Sequence, residues 1–117
     1  MHVRTFPTGA SRNSEVGKLD FEGALSPAVL VAFTAYMESH AAGPDGEHRS
    51  ADNWQRGMPL DSYMKSLLRH VMDLWMIHRG LAAVRPEDGH AVTIEEALGG
   101  VLFNAQGYWH EVLRTPH

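Results

Sequence analysis

The chain has 117 residues, no cysteine, 44% hydrophobic and 21% charged residues, and a formal charge of −4 with its eight histidines neutral. That length suits one domain with a core rather than two, and the composition is that of a soluble globular protein. Disulfides, cysteine zinc sites and thiol catalysis are excluded; no apolar run is long enough for a transmembrane helix and residues 1 to 15 lack a secretory hydrophobic segment, so a cytoplasmic location without membrane contact is expected.

Residues 1 to about 25 are rich in Gly, Ser, Thr and Asn without helical periodicity, and are expected to form an extended arm over the helical remainder, 26 to 117. Arg4, Arg12 and Lys18 are spaced along the arm, as phosphate contacts or as ordinary charges of a solvated terminus. The other cations are scattered, which disfavours duplex nucleic acid as a partner. A polyphosphate remains compatible with the negative charge if a divalent ion neutralises it.

A first helix is predicted from Ser26 as N-cap, with Pro27 at its first position, to near Gly43. Leu30, Phe33 and Met37 form its apolar face with Val29 and Tyr36 on the flank, leaving Glu38 and His40 toward the outside or an edge. Residues 43 to 52 read as an exposed loop rich in Gly, Pro and charge. A rigid Asn53-Trp54-x-x-Gly57-x-Pro59 segment follows, with Trp54 sealing the end of the core and Asn53 bonding backbone to fix the turn.

The second helix is expected from about Asp61 to Gly80, central and largely buried through Met64, Leu67, Leu68, Val71, Leu74, Trp75 and His78. Residues 85 to 92 read as a second exposed loop, and His48, His90, His110 and the terminal histidines are given no role. Thr93 and Glu96 form a capping box that opens a third helix running to about Arg114. Its core face is Ile94, Ala97, Leu98, Val101, Leu102, Ala105, Trp109 and Val112. No alternating strand pattern of useful length appears, so the predicted fold is all-α, a compact single-domain bundle of three main helices with an extended N-terminal arm.

Gly99, Gly100 and Gly107 lie inside the third helix, where each costs about 1 kcal/mol relative to alanine. A closely packed neighbouring helix or a ligand against bare backbone would offset that. Glu96, Gly100 and Asn104 stack at four-residue steps, a floor for a flat ligand. His70 and Asp73 lie one turn apart on the second helix, and antiparallel packing would bring them to Glu96 and Asn104 in one polar pocket. Two carboxylates and an imidazole suffice for magnesium or manganese. The bland alternatives also stand: Glu96 as a cap alone, Asp73 paired with Arg69 or Arg79, and His70 as a core histidine.

Asn53-Trp54-x-x-Gly57-x-Pro59, Tyr63-x-x-x-Leu67-Leu68-Arg69-His70, the later Asn104, and the N-terminal Thr8-Gly9-Ala10-x-Arg12 and Leu25-Ser26-Pro27 together resemble the phage-type N-terminal domain of dATP/dGTP diphosphohydrolases, the MazZ-type enzymes. The resemblance covers nearly the whole chain. It implies release of pyrophosphate from a purine deoxynucleoside triphosphate by an α-helical, metal-dependent enzyme in the host cytoplasm. On that reading Asp73 and Glu96 hold Mg2+ or Mn2+, and His70 acts as general base or phosphate ligand. Asn53, Trp54 and Asn104 shape the base or sugar pocket, while Arg12 and Lys18 neutralise phosphates.

The broader all-α pyrophosphohydrolases carry paired carboxylates, EExxE with a later ExxD, where this chain has only Glu95-Glu96. That departure supports the alternative of a non-catalytic phage protein that binds a nucleotide or sequesters a nucleotide signal. A third reading makes the polar core residues purely fold-specifying. Short helical bundles often complete a core or site by pairing, which leaves a homo-oligomer open.

Overall fold

The structure, a computed structural model, describes residues 3–14, 16–41 and 49–115. The arm is not featureless. Val3–Thr5 (β1) and Ser11–Asn13 (β2) pair antiparallel with Arg4 opposite Arg12, closed by a turn in which Gly9 takes φ +88°. Phe21–Ala24 (α1) then makes one helical turn capped by Asp20, whose Oδ1 accepts the Gly23 N–H at 2.8 Å. The all-α expectation is therefore corrected by a small two-stranded hairpin. With only three residues per strand, its polar and charged composition left no alternating apolar pattern to read.

Three main helices follow, close to their predicted limits. Pro27–Ser39 (α2) starts from Ser26, whose Oγ accepts the Val29 N–H, and stops at His40. The predicted continuation toward residue 43 fails at His40, and the predicted loop's residues 43 to 48 lie outside the described residues. Asn53–Arg56 forms one 3-10 turn ended by Gly57 at φ +115°, a conformation that favours glycine, and Pro59 leads into Leu60–His78 (α3). The C-terminal end of the next helix grips this loop: Arg114 Nη1 donates to the Gln55 carbonyl at 2.9 Å, and Glu111 Oε1 accepts the Met58 N–H at 3.3 Å. Residues 85 to 90 turn tightly, flanked by a bridge between Val84 and Ala91. Ile94–Arg114 (α4) opens with both halves of the Thr93–Glu96 capping box in place.

Helices α3 and α4 form the centre. Tyr63 meets Gly107 and, seven residues on, His70 meets Gly100, so the two run antiparallel. Tyr36 of α2 sits in the same way on Gly99, which places it inside the α2–α4 contact rather than on the flank. A Cβ at any of these three glycines would collide with an aromatic or imidazole ring. Close packing therefore explains the helical glycines.

The buried set among the described residues is small: Ala41, Trp54, Tyr63, Ala83, Ala97 and Asn104, with the three helical glycines. The expectation of a largely buried α3 is corrected, since Tyr63 is its one buried residue, while Leu68, Met72 and Trp75 are about half exposed. The predicted core face of α4 is likewise open at Leu98, Leu102 and Trp109, and α2 buries no residue at all. The Cα radius of gyration is 19.6 Å, against about 13 Å for a compact chain of this length. No helix among the described residues is long and apolar enough to cross a membrane.

Candidate functional site

A cavity of about 310 Å³ opens where the end of α2, the Arg49–Trp54 segment, α3 and α4 meet. That is the lower end of the range of small-molecule sites, about 300–1,000 Å³. Trp54 forms one end, edge-on to Phe103 at 6.1 Å and to His110 at 4.9 Å between ring centroids. Asn53, beside it, is exposed and lines the cavity; its backbone N–H, donating to the Ser50 carbonyl, is what fixes the turn.

Asn104 lies at the floor, 2% exposed. Its Nδ2 donates to the Gly100 carbonyl at 2.7 Å, so the carboxamide oxygen is the atom left to face a ligand. The flat group resting on Gly100 is the imidazole of His70 itself, not a ligand. The His70 Nδ1 is buried without a hydrogen-bond partner. Burial pushes the His70 pKa below its ordinary 6.5, against the pull of the Asp73 carboxylate and with help from Arg69 and His40. His70 therefore enters the cavity wall as a neutral ring.

Tyr36, His40, Arg49, Ser66 and Phe103 also line the cavity, and none of them was singled out from the sequence. His40 stacks on Tyr36 with ring centroids 4.1 Å apart. Its Nδ1 lies 2.9 Å from the Tyr36 carbonyl, which can only accept, so Nδ1 carries a proton. The four-residue step from Tyr36 to His40 was the available signal, but the helix was expected to continue past it. Among the described residues no carboxylate lines the cavity, and Arg49 does.

Of the residues singled out from sequence, His70, Asn53, Trp54 and Asn104 share this cavity. Asp73 reaches it only through its field on His70. Glu96 lines a separate hollow on the other side of α2. Its carboxylate closes the capping box, and both oxygens lie 3.0 Å from His90 Nε2. The His90 contact is the first cause, ahead of the Thr93 hydrogen bonds, of a Glu96 pKa below its ordinary 4.5, although desolvation opposes the shift. His90, given no role from the sequence, is thus the partner of Glu96. Arg12 and Lys18 line a third hollow on the hairpin with Arg4, Ser11 and Asn13.

Among the described residues no three His, Asp or Glu side chains gather as a metal site. Magnesium and manganese favour several oxygen ligands, carboxylates above all, and the described cavity residues offer two carboxamides, two serine hydroxyls and two imidazoles while the Glu96 carboxylate is engaged elsewhere. The described residues of a single chain therefore do not fit the ion that the sequence resemblance implies. No family model matches the chain, and no curated protein or solved structure matches it either.

Proposed function

We propose that the cavity beside Trp54 and Asn104 binds a purine nucleotide and holds it without hydrolysis. The observation that carries this reading is the character of the lining among the described residues: aromatic and imidazole rings, a buried carboxamide and a guanidinium, with no carboxylate. Rings give a purine base apolar faces to rest on, and the carboxamide and imidazoles offer hydrogen bonds to its edge. The Arg49 guanidinium in the lining suits phosphate oxygens. The sequence resemblance to dATP/dGTP diphosphohydrolases supports the choice of purine.

Hydrolysis with magnesium, the activity of the enzymes the chain resembles, is the second reading. It needs Asp73 and Glu96 to act on one ion, and the observation that both neighbour cavity residues, Asp73 through His70 and Glu96 through Tyr36, is what favours it.

Titrating each of the four deoxynucleoside triphosphates against tryptophan fluorescence, with product analysis by chromatography with and without magnesium, separates the outcomes. Saturable binding of dATP or dGTP, weakened at least tenfold by His40→Ala, with all nucleotide recovered intact, is expected. Recovery of monophosphate and pyrophosphate establishes the enzyme instead. Absence of binding by every nucleotide overturns both.

A further inference from the structure

Arg4, Arg12 and Lys18, which the sequence leaves as phosphate contacts or as ordinary charges, are brought together by the fold of the arm. Arg4 stands directly opposite Arg12, at the central pair of the β1–β2 register. Beyond β2 the Ser14 Oγ accepts the Val16 N–H at 3.1 Å and Gly17 takes φ +82°, and this turn returns Lys18 to the same hollow. The hollow measures about 400 Å³ and is lined by the three cations with Ser11 and Asn13. Every described residue that lines it belongs to the arm, so it is separate from the cavity beside Trp54.

Two features of this arrangement call for an anion. Like charges directly opposite one another weaken a strand pair, and a two-stranded ribbon is marginal in water to begin with. The central pair of the hairpin therefore gains from a negative charge placed against it. The arm itself supplies little. Among the described residues no carboxylate lines the hollow, and residues 1–19 hold one, Glu15, against the three cations. The next carboxylate along the chain, Asp20, is engaged as the cap of α1.

We propose that this hollow is a second anion site, which takes a phosphate group or a short chain of phosphates by its oxygens alone. Guanidinium groups are planar forks that match phosphate oxygens two at a time, and a lysine adds a point charge. The Arg4 fork is already held in place, its guanidinium carbon 5.2 Å from the centroid of the Phe6 ring. Ser11 and Asn13 bring a hydroxyl and a carboxamide as neutral donors. No aromatic ring lines the hollow among the described residues, so it has no platform on which to stack a base.

Calorimetric titration of the full chain with pyrophosphate and with tripolyphosphate is expected to show saturable binding, weakened at least tenfold by Arg12→Gln with Lys18→Gln. Lys65→Gln with Arg79→Gln removes the same charge from exposed positions in and at the end of α3, and is expected to leave the affinity within twofold. Amide resonances of residues 3–18 are expected to shift on titrating the native chain with pyrophosphate. Absence of binding by both anions, or equal loss in the two charge-matched variants, overturns the proposal. So does binding that His40→Ala abolishes and Arg12→Gln with Lys18→Gln retains, because the anion then lies in the cavity. In His40→Ala, equal affinity for tripolyphosphate and dATP identifies the phosphate chain of a nucleotide as the ligand, and dATP bound tenfold more weakly a free oligophosphate. Both results keep the site. None of these readouts depends on a nucleotide occupying the cavity, so the two sites stand or fall separately.

Discussion

Tyr63, His70 and Tyr36 each press a ring onto backbone that a glycine of α4 leaves bare. A methyl group at Gly107 has no room beside the fully buried Tyr63, so Gly107→Ala is expected to destabilise the protein by about 1–3 kcal/mol despite alanine's better helix propensity. The Tyr63 hydroxyl is buried without a partner. Tyr63→Phe removes an unsatisfied group, so it is expected to leave stability unchanged or raise it by about 1 kcal/mol. Denaturant midpoints of the two variants check both, and a destabilised Tyr63→Phe would contradict the orphaned hydroxyl.

His70 adds a pH dependence. Its folded pKa lies below the ordinary 6.5 because of burial, so on acidification the unfolded chain takes up the proton first. Its contribution is complete above 6.5 and is lost as the pH falls through the lowered folded value. Urea midpoints from pH 8 to pH 5 are expected to drop for the native chain and to drop less for His70→Gln. Equal pH slopes for the two would refute the assignment.

At the scale of elements, helix starts were legible because they are written in adjacent residues. Ser26-Pro27 and Thr93-x-x-Glu96 specify local hydrogen bonds that need no tertiary partner. Thr93→Ala is expected to cost about 1 kcal/mol, read as a lower melting temperature with nucleotide binding retained, since Thr93 does not line the cavity. Loss of binding in that variant would place α4's first turn in the site. The hairpin escaped because β1 and β2 are three residues each and mostly polar. His90 escaped for another reason: it meets Glu96 across six residues through a turn around Gly89 that periodicity does not describe.

At the scale of the molecule, apolar periodicity on α3 and α4 specified which faces seek burial, while the fold of one chain covers only part of them. Faces of this kind, once buried against another chain, make apparent stability depend on protein concentration. Scanning calorimetry over a hundredfold range of concentration separates the two cases: a rising melting temperature marks linked assembly, a constant one a chain stable by itself.

Local chemistry in the sequence determined the helix starts, the helical glycines and four residues of the cavity lining, His70, Asn53, Trp54 and Asn104, because caps, turns and spacing act over a few residues. Only the tertiary structure decided which polar groups share a space. Arg12 and Lys18 stay on the hairpin arm, away from the cavity, while Asp73 and Glu96 fall outside it and His40 within it because the azimuth of each helix is set by where rings meet glycines on its neighbours. That contact is made across dozens of residues, and no local pattern encodes it.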